Sequence, residues 1–90
     1  LNGAPHQADP ARRRRLRWRA RRGLLENDLI LTRFLDKFED DLSDDEVSGL
    51  NQLLDLTDNT LLDLLLARSE PDAAINTPEL GGVLARIRSC

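Results

Sequence analysis

The chain has one cysteine, Cys90, and one histidine, His6, among 90 residues. A single thiol excludes an intrachain disulfide, and nothing calls for an oxidising compartment. Neither a Cys/His nucleophile pair nor a metal cluster can be assembled from a lone histidine near the start and a cysteine at the end. Tyrosine is absent, and two phenylalanines and one tryptophan are the only aromatics. The core must therefore be aliphatic, and its leucine richness favours helix over strand. No apolar run approaches the roughly 18–20 residues that span a bilayer, and the first residues lack the apolar centre of a secretory signal, so the chain reads as soluble. A glycine-rich phosphate loop is missing too, since Gly81 and Gly82 have no adjoining strand and no suitably placed lysine. The acidic pairs Asp40–Asp41 and Asp44–Asp45 lack calcium-loop spacing and read as turn and cap residues. With no catalytic constellation, the chain reads as a binding module and not an enzyme.

This length allows one small domain that buries about 60–65% of its unfolded surface. Residues 1–10 carry two prolines, a glycine and no apolar period, and are expected to be a disordered leader; residues 11–90 are expected to form the folded domain. Charge is divided along the chain. Residues 1–23 hold eight arginines against one acid, +7, whereas residues 24–90 sum to −10.

Helical signals follow one another. Leu16, Ala20 and Leu24 recur at helical spacing in a basic segment from Ala11 to Arg22, with Trp18 off that stripe. Leu31, Phe34, Leu35, Phe38 and Leu42 make a core stripe in a second helix over about 25–40, with Thr32, Arg33, Asp36, Lys37 and Glu39 on its wet face. Ser43 and Glu46 make a capping-box pattern opening a third helix with Val47, Leu50, Leu53 and Leu54 inside and Gly49 as its weak point. Asp58 or Asn59 is expected to cap a fourth, apolar nearly all round and so central. Thr77, Pro78 and Glu79 start a fifth, buried through Leu80, Val83, Leu84 and Ile87. The sum is an all-α, single-domain bundle of about five short helices with up-and-down connections.

Arg22, Gly23 and Glu26 lie where the basic and acidic parts meet. Glycine inside a helix costs about 1 kcal/mol relative to alanine, so either the backbone leaves the helix at Gly23 or something approaches it closely. A continuous helix would put Arg22 and Glu26 on one face at i, i+4; a break would let Gly23 set the angle between arm and bundle. Either way Gly23 is expected to tolerate no bulk. The arginines themselves read as a solvated face, as a docking surface for an acidic partner, or as a nucleic-acid arm with Trp18 stacking on a base. The acidic later helices would repel phosphate, which leaves nucleic acid as the alternative function only.

Residues 16–31, LRWRARRGLLENDLIL, resemble the succinate dehydrogenase assembly factor family, also called FAD assembly factors. The hallmark is Arg22-Gly23 followed by Glu26, framed by Trp18, Arg21 and Asp28. Phe34, Phe38, the turn Leu42-Ser43-Asp44-Asp45-Glu46, Leu53-Leu54-Asp55, Asp58 and Leu61 continue in register, so the resemblance covers about residues 12–66. Leu24, Asn27, Asn59 and Leu64 depart from the methionine, apolar residue, proline and tryptophan common at those places. The resemblance implies a small helical bundle that binds the flavoprotein subunit of succinate dehydrogenase, and often of fumarate reductase. It further implies that the bundle promotes covalent attachment of FAD to a client histidine while holding no cofactor stably itself. Trp18, Arg21, Arg22, Gly23, Glu26 and Asp28 become the expected partner-binding residues. A bacterial cytoplasm fits better than a mitochondrial matrix, because no separate transit segment precedes the basic run.

Overall fold

In the computed structural model, which describes residues 5–90, Asp9 accepts hydrogen bonds from the amides of Ala11 and Arg12 and starts helix α1, Pro10–Arg19, with proline in its first turn. This cap and first-turn proline satisfy or remove amides that a helix start leaves without partners. Helix α1 stops three residues short of the expected Arg22. The amide of Arg21 turns back to the Trp18 carbonyl, and that of Arg22 goes to Asp28 Oδ1 at 3.1 Å, so no helix carbonyl holds it. Helix α2, Leu25–Phe38, runs into a 3-10 turn, Glu39–Asp41. Helix α3, Asp44–Leu54, opens on the expected capping box, with the Ser43 amide donating to Glu46 Oε1 and the Glu46 amide to Ser43 Oγ. Helix α4, Asp58–Leu65, is capped by Thr57, so neither Asp58 nor Asn59 serves as its cap. Helix α5, Pro78–Arg88, begins at the expected Thr77 cap. The described residues contain no strand.

Five short helices therefore form the expected all-α bundle, but its packing is not that of sequential neighbours. The principal contact is α3 with α5, and α2 lies against α4, each pair next-but-one in the chain. Gly49 permits the first contact. A Cβ there would overlap the Glu79 carbonyl and lie 2.9 Å from the Leu80 amide nitrogen, so the apparent weak point of α3 is where two backbones touch. Leu31, Phe34, Leu50, Leu53, Leu61, Leu80 and Val83 fill the interior, all within 1% of complete burial. Helix α4 is less central than expected, because Leu66 at its end is exposed.

Residues 5–10, expected within the leader, are packed on the bundle; residues 1–4 lie outside the described residues. His6–Ala8 forms a 3-10 turn with His6 buried. The His6 amide donates to Asp44 Oδ1, and Gln7 Nε2 donates to the carbonyls of Glu39 and Leu42. Composition does not reveal this docking, since its acceptors are more than thirty residues away.

Candidate functional site

The linker between α1 and α2, with the first turn of α2, carries most of the expected site, and its parts face in opposite directions. Arg22 points inward, with 15% of its side chain exposed. Its Nε donates to Asp58 Oδ1 at 2.8 Å, and its two terminal nitrogens donate to the carbonyls of Leu54 at 2.9 Å and Leu56 at 2.8 Å. One guanidinium thus ties the linker to the end of α3 and the start of α4. Leu54 and Leu56 lie where a helix ends and leaves carbonyls without intrahelical donors, which the planar fork supplies. The Arg22 bond holds the Asp58 carboxyl below its ordinary range; partial desolvation opposes this, and the Arg22 charge with the Asn27 side chain and Leu24 amide reinforces it.

Asp28 has the complementary role from the other side. It takes the Arg22 amide and lies 3.6 Å from Arg21 Nε, a loose pair on a mostly exposed arginine. Asn27 is fully buried; its Nδ2 donates to the Asp58 carbonyl at 2.9 Å, while its Oδ1 has no partner among the described residues. Both residues brace the turn.

Gly23 and Glu26 face out. Gly23 is exposed and has no positive φ, and a Cβ built on it would meet only Asp58 Oδ2 at 3.8 Å, an ordinary contact. The expectation that Gly23 admits no bulk is therefore not a property of this fold, which has room for a methyl group there. The side chain of Glu26, in the first turn of α2, has no hydrogen bond or ion pair among the described residues. Helix α1 ends before Gly23, so Arg22 and Glu26 are not i, i+4 partners on one helix.

Trp18 is 75% exposed and stands between two grooves. The larger, about 940 Å³, runs between α1 and α2 over Ala20 and Leu35, with Trp18, Arg21, Asp28 and Thr32 on its walls. Most arginines of the basic segment 12–22 are already neutralised within the chain. Arg13 pairs with Asp40, Arg17 with Asp36 and Glu39, Arg19 with Asp55, Arg21 with Asp28 and Arg22 with Asp58. Five of the eight early arginines thus meet acids of the same molecule, so few remain to neutralise phosphates.

Residues 14–90 match the family described as flavinator of succinate dehydrogenase. The chain belongs to that family. The FAD assembly factor SdhE of Ralstonia nicotianae is 58% identical over 84 residues, covering 93% of this chain and 88% of that protein. The protein of the same name from Coxiella burnetii is 38% identical over 66 residues, covering 73% and 80%. That of Legionella pneumophila is 33% identical over 82 residues, covering 91% and 98%. No solved structure matches the chain significantly. Among the described residues of this flavinator family member, no helix is long and apolar enough to cross a membrane, and no group of acids, histidine and cysteine is gathered to hold a metal ion.

The sequence did not single out the anchor Asp58 as such, nor Leu25 and Leu29, which are 64% and 59% exposed. A signal for the leucines was present. They stand one turn apart on α2, off the stripe of Leu31, Phe34 and Leu35, and Leu29 is four residues before Arg33 on the polar face.

Proposed function

We propose that this flavinator family member is an assembly factor that docks through the Gly23–Glu26 turn on the flavoprotein subunit of succinate dehydrogenase, and of fumarate reductase where present. Docking promotes covalent attachment of FAD to a client histidine. The observation that carries the reading is an exposed glycine which the fold does not require, set beside an unpartnered carboxylate and braced from behind by Arg22. A bare backbone lets a partner loop approach more closely than a side chain would permit, and Glu26 can accept from partner amides or a guanidinium.

Arg22 and Asp28 then act by positioning, whereas Gly23, Glu26, Arg21 and Trp18 meet the partner. Binding one arrangement of the client more tightly than others shifts its population toward alignment of FAD and histidine. The bond-forming chemistry stays with FAD and the client, and the factor is a chaperone and not a catalyst, with no resident cofactor. Its setting is the bacterial cytoplasm, in keeping with its bacterial relatives.

Gly23→Arg and Glu26→Ala, each purified and checked for helicity, test this against wild type. Client binding and the covalent flavin fluorescence of the denatured client should both fall by more than tenfold. Undiminished flavinylation by two folded variants would refute the site.

A further inference from the structure

Glu26, Leu29, Ile30, Arg33 and Lys37 recur at spacings of three, four, seven and eleven, so they form one stripe along the outer side of α2. Leu66 lies beside this stripe, at the end of α4, where the chain turns through Ala67 at a φ of 58°. Together they line a groove of about 670 Å³, separate from the one beside Trp18. Leu29, Ile30 and Leu66 give it an apolar floor, with Leu29 59% and Leu66 45% exposed.

The charges of this groove run in a definite order. Glu26 marks one end, while Arg33 and Lys37 lie about 10 and 16 Å further along the helix at 1.5 Å per residue. Glu26, Arg33 and Lys37 have no ion pair among the described residues. Asp36, which also lines the groove, is compensated by Arg17 at 2.9 Å. Uncompensated opposite charges at the two ends of an apolar strip set both the composition and the direction of what covers it.

We propose that this groove receives an amphipathic segment of the client flavoprotein: apolar in the middle, basic where it meets Glu26, and acidic where it meets Arg33 and Lys37. The proposal rests on the docking role assigned to Gly23 and Glu26, and Glu26 is common to both surfaces. The turn would then recognise close backbone approach, and the groove would fix the client's orientation. Arg33 and Leu66 become specificity residues outside the family hallmark.

The test uses the full chain and the purified client subunit, with Leu66→Lys and Arg33→Glu set beside Glu26→Ala. Both groove positions are exposed, and lysine at a helix C-terminus is compatible with the dipole, so melting should stay at the wild-type value. Each groove variant should weaken client binding at least tenfold, and covalent flavin yield should recover at higher concentrations of the variant. Wild-type affinity in both, with weakened binding by Glu26→Ala, would overturn the groove and leave the turn standing. The reverse pattern would reject Glu26 as the acidic end of the groove, and with it the proposed polarity of the client segment. No client binding by wild type would remove both. Sedimentation showing a concentration-dependent dimer abolished by Leu66→Lys would also overturn the proposal, because the groove would then join two copies of this chain.

Discussion

Arg22 donates its Nε hydrogen to Asp58 Oδ1 at 2.8 Å, which places the hallmark arginine behind the adjacent Gly23 and not beside it on the outer surface. The same guanidinium holds the carbonyls of Leu54 and Leu56. Lysine cannot reproduce three bonds from one planar group. Arg22→Lys should therefore lower stability by about 1.5–3 kcal/mol through the carbonyl bonds alone. Urea unfolding measures this, and an unchanged midpoint would show that the tie contributes nothing. Client affinity should fall as well, through displacement of the linker.

The two conspicuous glycines should respond oppositely to alanine. Gly49→Ala drives a methyl into the backbone at Glu79 and Leu80 and should cost at least about 2 kcal/mol as α3 and α5 separate. Gly23→Ala has room and no positive φ, so it should be neutral or stabilising by up to about 1 kcal/mol. Thermal melts of the pair decide the matter; equal losses would contradict the distinction between a packing glycine and an exposed one.

Ala67 is the described non-glycine residue with a positive φ, 58°. It follows α4 in a reverse-bonded end, with the Ala67 amide donating to the Leu64 carbonyl and the Arg68 amide to that of Asp63. The left-handed conformation costs an alanine roughly 1–2 kcal/mol, and glycine's freer unfolded chain returns part of any gain. Ala67→Gly should stabilise by about 0.5–1 kcal/mol in urea unfolding. A loss would mean that the alanine methyl contributes more than its strain.

Protonation of His6 should loosen the packed N-terminal turn. Burial lowers the His6 pKa below 6.5, as do the charges of Arg12 and Arg13, while Asp44 and Glu39 act in the opposite sense. A base with a depressed folded pKa binds fewer protons when folded, so its stability is complete above the unfolded value and declines as pH falls below 6.5. Asp58 and Glu46 are lowered from 3.8 and 4.5, and their stabilisation is lost only as pH falls below those values. For Glu46, burial works upward but is outweighed by the Ser43 amide and Arg86. Between about pH 7.5 and 5.5, wild type should therefore lose stability and His6→Gln should not. Parallel pH profiles would rule out the histidine as the cause, and its imidazole NMR shift gives the folded pKa directly.

By itself the sequence determined the helices, the Ser43 and Thr77 starts, the aliphatic core and the family stretch around Gly23. These depend on periodicity, caps and ordered motifs, whose physics acts mainly within one or two turns of the chain. Tertiary structure decided the roles. Arg22 meets Asp58 across 36 residues, and α1 arginines find acids 19 to 36 residues away, so a basic arm in sequence becomes a partly neutralised one in space. The same is true of Gly49, whose cost within α3 is local but whose purpose lies in α5. The direction of the hallmark could not be read from spacing, because three acceptors assembled only by folding draw Arg22 inward and leave Gly23 and Glu26 outside.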